Sequence, residues 1–315
     1  MSQSPKSPKS LPPKLANAPF DDPRADLVLR SSDDVNFFVF KIILSLASSV
    51  FADMFTLPLP AASQNSSDEP PVAQLPEDAE TIDMALRYCY PIPSPEMVTL
   101  CDARILMEFA RKYQVDVIKS SLTQFLTNTI ERNPAGVYAL ASTYEYQDVA
   151  AKALQSSLMV PIYLLQSPDL QYSTTKQYEA LIRYHISCGR VASAVSTRRN
   201  WVPNRLITNW RKGGCSVCII PDPQPHPCQT TRRGPRYLWN YLHRSALVLA
   251  HHPNADAVTG EAFVLRDMKQ CGDCKTEKRL EMLECSHAFA AEIRRVINQV
   301  GSQLSQFLLA PLNIA

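Results

Sequence analysis

The segment of residues 25–55 constrains the fold of this chain more than any other part of its sequence. In the first strand-like stretch, 27–29, two leucines point to one face and Val28 to the other, because successive side chains of a β-strand alternate. After a polar turn at residues 31–34, apolar side chains again occupy both faces over residues 35–40. A strand with two apolar faces must be covered on both sides, so we expect this hairpin to lie inside a fold.

The same segment changes its period after Lys41, where apolar residues begin to recur at helical spacing. The first predicted helix carries Ile42, Ile43, Leu46 and Ala47. A second predicted helix, capped by Ser48 or Ser49, carries Val50, Phe51, Met54 and Phe55. The segment therefore predicts the order strand, turn, strand, helix, helix.

These residues resemble the start of a BTB/POZ domain, which is a protein-interaction module. The family pattern is an aspartate that opens a strand, a short turn, aromatic-x-x-His-Lys-x-x-Leu, and then Ser-x-x-Phe-x-x-Met-Phe. Here the pattern appears as Asp26, Phe37, Phe40-Lys41, Leu44 and the segment Ser48 to Phe55. Phe40 stands where the family usually has histidine.

Later motifs extend the resemblance to residues 24–130 and point to the type of BTB/POZ protein that is abundant in fungi. A predicted helix ends in Tyr88-Cys89-Tyr90-Pro91, a capping box starts at Thr99 with Asp102, and Ala110 to Tyr113 matches the family's Ala-x-Lys-Tyr. The resemblance implies an α+β BTB/POZ fold, in which helices cover a small β-sheet, over residues 23–130.

The rest of the chain is expected to be a tail and a helical extension. Residues 1–22 are rich in Pro, Ser and Lys and predict a disordered tail. A second interpretation is that the Ser-Pro-Lys repeats at Ser4 and Ser7 are sites of proline-directed phosphorylation. Residues 131–197 predict an all-helical extension, and residues 198–315 predict a further helical region that carries two cysteine pairs.

Composition narrows the compartment and the class of protein. The formal charge is only +2, and no apolar run reaches the roughly 18 to 20 residues of a membrane span. The N-terminus has no apolar signal segment, so we expect an intracellular protein, in the cytoplasm or nucleus, with its nine cysteines reduced. No phosphate loop, nucleophile elbow or His-Glu-x-x-His motif is present, and we therefore do not expect an enzyme.

Two Cys-x-x-Cys pairs, Cys215 with Cys218 and Cys271 with Cys274, have the spacing of zinc knuckles. The interval between the pairs is 53 positions (271 − 218 = 53), far longer than the roughly 15 to 20 residues of a simple zinc ribbon. One structural zinc ion would thus join distant segments; ordinary thiols and a dithiol redox centre are the alternatives. Substitute ligands are Cys228, His226, Cys285 and His287.

A basic span surrounds the first cysteine pair, over residues 190–236. Its basic residues are Arg190, Arg198, Arg199, Arg205, Arg211, Lys212, Arg232, Arg233 and Arg236. With Asp222 as the only acid, the span carries +8 (9 − 1 = 8), and Trp201 and Trp210 lie within it. Such a span can bind nucleic acid or an acidic partner, or it can be a solvated region that faces the protein's own acidic residues.

The resemblance implies an interaction protein, an adaptor or scaffold that self-associates or binds another chain. In related proteins an aspartate on the first strand faces the basic residue before the first helix, and Asp26 and Lys41 match those positions. Residues 1–20 are proline-rich and lack the helix that many dimeric members place there. Two alternatives stay open: a substrate adaptor for a cullin ubiquitin ligase, and a nuclear regulator that contacts nucleic acid through residues 190–236.

Overall fold

The computed structural model describes residues 13–56, 70–198, 200–213, 218–221, 223, 233–270, 274 and 278–308. Its internal contacts divide the chain into two compact units, Met1–Asn128 and Thr129–Ala315. In the described part of the chain, no helix is both long enough and apolar enough to span a membrane.

The first unit contains a four-stranded sheet with the order β1-β3-β2-β4. Its strands are β1 (Lys14–Leu15), β2 (Leu27–Arg30), β3 (Val35–Val39) and β4 (Val72–Gln74). The antiparallel pair β2 and β3 is the predicted hairpin, and β1 and β4 each add in parallel to one side of it. All three apolar residues of β2 are buried, which confirms that both of its faces are covered.

Among its described residues, the first unit has five α-helices after the hairpin, two of them directly after it as predicted. They are α1 (Lys41–Ala47), α2 (Ser49–Thr56), α3 (Ala79–Cys89), α4 (Leu100–Tyr113) and α5 (Lys119–Thr129). Helix α4 begins with the predicted capping box, in which Thr99 and Asp102 each accept the other's backbone N–H. Phe51 of α2 stacks on Tyr113 of α4, with ring centroids 4.9 Å apart. The predicted α+β fold is confirmed.

The expectation of a disordered tail over residues 1–22 is wrong for its second half, while residues 1–12 lie outside the described part. Phe20 is fully buried, and its ring packs edge-on against Tyr90 at a centroid distance of 5.2 Å. The Phe20 carbonyl accepts a hydrogen bond from the N–H of Phe38 at 2.8 Å. Strand β1 and the buried Phe20 therefore both attach this segment to the domain.

The second unit is mainly helical, as predicted. Its helices are α6 (Pro134–Thr143), α7 (Gln147–Ser156), α8 (Thr175–Val195), α9 (Asn204–Gly213), α10 (Arg236–His251), α11 (Asp256–Thr259), α12 (Glu261–Val264) and α13 (Arg279–Leu308). Two short strands, β5 (Ile219–Pro221) and β6 (Arg233–Pro235), form an antiparallel pair that was not predicted. Proline and glycine in these strands conceal the alternation by which strands are recognised.

Helix α8 packs against α10 and α13 and so contributes to the main core of the second unit. We call this cluster the C-terminal core; its members include Leu206, Trp210, Tyr237, Trp239, Tyr241, Met268, Met282 and Phe289. His185 on α8 is fully buried. The division into regions 131–197 and 198–315 stays a prediction. Helices from both regions pack together in this core.

Candidate interaction surface and cysteine pairs

Asp26 and Lys41, the two residues expected at an interaction surface, are in direct contact. Asp26 Oδ1 accepts a hydrogen bond of 2.8 Å from the backbone N–H of Lys41, the first residue of α1. The first N–H groups of a helix have no partner within the helix, and its N-terminus carries partial positive charge. The carboxylate thus fastens the start of β2 to the start of α1 through the backbone of Lys41.

Helix α1 presents an exposed apolar face next to this contact. Ile42 and Leu46 lie one turn apart on α1, so they share a face, and their exposed fractions are 65% and 82%. Leu44 is fully buried and anchors α1 to the domain core. The pattern of the sequence predicted the helix but did not separate its buried side from its exposed side. The sequence did contain a signal that some apolar side chains of α1 are exposed, since five of its seven residues are apolar.

Hydrogen bonds at both ends hold α1 in a fixed orientation. At its start, the N–H of Phe40 donates to the Tyr90 hydroxyl at 2.9 Å. Burial raises the pKa of Tyr90, so this phenol is neutral at physiological pH. At the end of α1, Ser48 Oγ donates to the backbone carbonyl of Tyr113 and accepts from the N–H of Phe51 at 3.0 Å. The exposed face is therefore presented by a preorganised helix.

The basic span contacts acidic residues of the same unit. Arg205 forms an ion pair with Glu284 on α13. On the same helix, Arg295 lowers the pKa of Glu292 through a side-chain hydrogen bond, and Arg198 of the span lowers it further. Part of the positive charge of the span thus faces the protein's own carboxylates.

Both tryptophans of the span pack at the C-terminal core, Trp210 within it and Trp201 against it. Trp210 is a buried member of the C-terminal core. Trp201 packs on Phe289 with ring centroids 4.9 Å apart, and its Nε1–H donates to the carbonyl of Val195. These contacts reduce the ring surface that is available for stacking on nucleic-acid bases. These contacts favour a solvated basic region over a nucleic-acid surface.

Of the four predicted zinc ligands, the structure describes one from each pair. Cys274 is 4% exposed within the C-terminal core, and Cys218, half-buried just before β5, packs against the same core. Cys215 and Cys271 lie outside the described residues. Among the residues that are described, no three His, Cys, Asp or Glu side chains are close enough to hold a metal ion.

The substitute ligands divide in the same way. Cys285 is fully buried on α13, and His287 is exposed on the same helix. Cys228 and His226 lie outside the described part of the chain.

Comparison with known proteins identifies the domain family of the first unit. The family model of the BTB/POZ domain matches residues 19–130. The match begins just before the buried Phe20 and ends one residue after α5. No curated protein matches the chain.

Proposed function

We propose that this chain, which carries a BTB/POZ domain at residues 19–130, is a protein-interaction subunit that self-associates through the exposed face of helix α1. A role in protein–protein interaction follows from the domain itself. The choice of surface rests on one observation: Ile42 and Leu46 are mostly exposed on a helix that is fixed at both ends.

A second copy of the chain is the partner that this face fits best. Its centre is apolar, and Asp26 beside it is exposed. A two-fold interface places the same patch on both subunits, so an apolar patch meets an apolar patch. The Asp26 contact to the backbone of Lys41 fixes where α1 begins and so positions the face.

As an adaptor or scaffold, the chain would use the BTB/POZ domain for assembly and its second unit for another partner. The second unit is compact and has its own core, which supports a separate role for it. The cullin-adaptor alternative and the nuclear-regulator alternative stay predictions.

The experiment compares the mass of the chain in solution with that of two variants. Sedimentation or light scattering over roughly 10 μM to 1 mM brackets affinities of about −4 to −7 kcal/mol. We expect the mass of the wild-type chain to rise from 35.2 kDa towards twice that value as concentration increases. The double variant Ile42→Asp/Leu46→Asp should stay monomeric, because it would bury unpaired carboxylates.

Val98→Asp is the matched control. Val98 is 80% exposed in the same unit but lies outside α1, so this variant should associate like the wild type. A wild-type chain that stays monomeric throughout, or a double variant that associates equally well, would reject this proposal.

A further inference from the structure

The described part of the chain contains two Ser-Pro dipeptides, Ser94-Pro95 in the first unit and Ser167-Pro168 in the second. A proline-directed kinase transfers phosphate to a serine that precedes proline, provided that the serine hydroxyl and the chain around it are accessible. The two dipeptides have the same chemistry, so their structural surroundings decide which of them a kinase can use.

Ser94 is exposed in the connection between α3 and α4, which has no regular secondary structure over residues 93–98. Pro91, Pro93 and Pro95 keep this connection out of a helix, because proline fixes its own φ and favours an extended conformation in the residue before it. Neither the hydroxyl nor the backbone N–H of Ser94 forms a hydrogen bond with any described residue. Both groups are therefore accessible to a kinase.

Hydrogen bonds further along the chain hold this connection in place without involving Ser94. The hydroxyl of Tyr88, a buried residue of α3, donates to the Pro95 carbonyl at 2.8 Å. The N–H of Val98 donates to Asp102 Oδ2 on α4 at 3.2 Å. The exposed serine hydroxyl is thus presented on a fixed backbone, and a kinase could reach it without local unfolding.

The hydroxyl of Ser167, in contrast, is half-buried and takes part in three hydrogen bonds. It donates to Asp169 Oδ2 at 2.9 Å, and it accepts from the N–H of Asp169 at 3.3 Å and from the side-chain amide of Asn133 at 3.1 Å. The chain continues directly into the 3₁₀ helix Pro168–Tyr172. A kinase could reach this serine only after the segment opens, so the fold protects Ser167.

We propose that Ser94 is a phosphorylation site of a proline-directed kinase and that Ser167 is not. In the reaction, Ser94 Oγ forms a bond to the γ-phosphorus of ATP, the bond from this phosphorus to the oxygen of the leaving ADP breaks, and the hydroxyl proton passes to a carboxylate of the kinase. The product carries a charge of about −1.5 to −2 at pH 7. Glu96 is the only charged residue among residues 91–98, so phosphorylation would make this connection strongly acidic.

Phosphate mapping by mass spectrometry tests the proposal on the purified full-length chain, incubated with ATP, Mg²⁺ and a mitogen-activated protein kinase. Synthetic peptides of residues 88–101 and 161–174 serve as unfolded references for the two serines. We expect Ser94 of the folded chain to be modified at a rate within about threefold of that of its peptide. Ser167 should be modified at least about tenfold more slowly than its peptide, because only this serine requires local opening.

Three variants identify the acceptor and the role of the proline. Ser94→Ala should remove the phosphate, and Pro95→Ala should also remove it although the acceptor serine and the carbonyl bonded by Tyr88 remain. Ser167→Ala is the matched control and should be modified at Ser94 like the wild type. An unmodified Ser94 in the folded chain, a peptide 88–101 that is not a substrate, Ser167 modified as fast as Ser94, or Pro95→Ala modified at the wild-type rate would overturn the proposal. None of these outcomes bears on self-association through α1, which is tested separately.

Discussion

Gly189→Ala should destabilise the second unit, because glycine at this position lets two core helices approach closely. A Cβ atom added to Gly189 of α8 would lie 2.4 Å from the carbonyl oxygen of Ala250 on α10. Ordinary contacts begin at 3.4 Å, so the helices would have to separate by about 1 Å. Ser193 Oγ of α8 donates to the carbonyl of Ala246 on α10 at 3.0 Å, and separation would stretch this bond as well.

The expected loss is the difference between two opposing effects. Overpacking a core costs about 1–3 kcal/mol, and a clash with a backbone oxygen that cannot rotate away belongs at the upper end, about 3 kcal/mol. Alanine in a helix interior is favoured over glycine by about 1 kcal/mol. The free energy of unfolding should therefore fall by about 2 kcal/mol, which for a unit of this size corresponds to a midpoint lowered by about 4–8 °C.

Tryptophan fluorescence during thermal or urea unfolding measures this change selectively. Trp201, Trp210 and Trp239 are the only tryptophans of the chain, and all belong to the second unit. Gly301→Ala on α13 is the matched control: its nearest neighbour would be the Tyr184 hydroxyl at 3.5 Å, an ordinary contact, so it should be neutral or stabilising. If Gly189→Ala unfolded at or above the wild-type midpoint, the close packing of α8 on α10 would be refuted.

Two further predictions concern a buried histidine and the N-terminal segment. Burial lowers the pKa of His185 below its usual 6.5, and the nearby His252 and His251 lower it further. The ring Nε2–H donates to the Val160 carbonyl, while Nδ1 has no partner among the described residues. As the pH is lowered, the unfolded chain binds a proton at His185 before the folded chain does. The free energy of unfolding should therefore have its full His185 contribution above pH 6.5 and lose it as the pH falls below that value, and His185→Gln should flatten this part of the plot of melting temperature against pH. Phe20→Ala should lower the stability of the first unit by about 3–5 kcal/mol, seen as faster hydrogen exchange in α3, and unchanged exchange would contradict the packing of Phe20.

The parts of the fold that depend on local sequence were predictable, and those that depend on distant partners were not. The β2–β3 hairpin and the capping box at Thr99 follow from alternation and from a spacing of three residues, so they could be recognised directly. The packing of Phe20 could not be predicted, because Phe20 lies in a proline-rich segment and its aromatic partners come later in the chain. The pairing of Arg205 with Glu284, far apart in sequence, was equally out of reach.

The candidate site shows the same limit at the level of a single helix. Periodicity indicated that α1 is a helix, and the family pattern indicated that Asp26 and Lys41 belong together. Neither the periodicity nor the family pattern reveals that Leu44 is fully buried while Ile42 and Leu46 are exposed. That difference depends on the orientation of α1 relative to β3, which precedes it. Likewise, the spacing within each cysteine pair predicts zinc, but it does not reveal that Cys274 is buried in the C-terminal core and that Cys218 packs against the same core.

The size of the exposed α1 face limits how tightly two copies can associate. Covering the exposed fractions of Ile42 and Leu46 at about 2 kcal/mol per fully buried side chain gives about 3 kcal/mol per copy, or about 6 kcal/mol for a pair. Association itself costs about 4–15 kcal/mol, so this face alone leaves at most about 2 kcal/mol, which corresponds to a dissociation constant of about 30 mM. A dimer much tighter than this would require further contact area on the domain. A dimer that forms between 10 μM and 1 mM would be such a case, and the double variant at α1 should still be monomeric over that range, because a loss of about 6 kcal/mol weakens association by roughly 10⁴-fold.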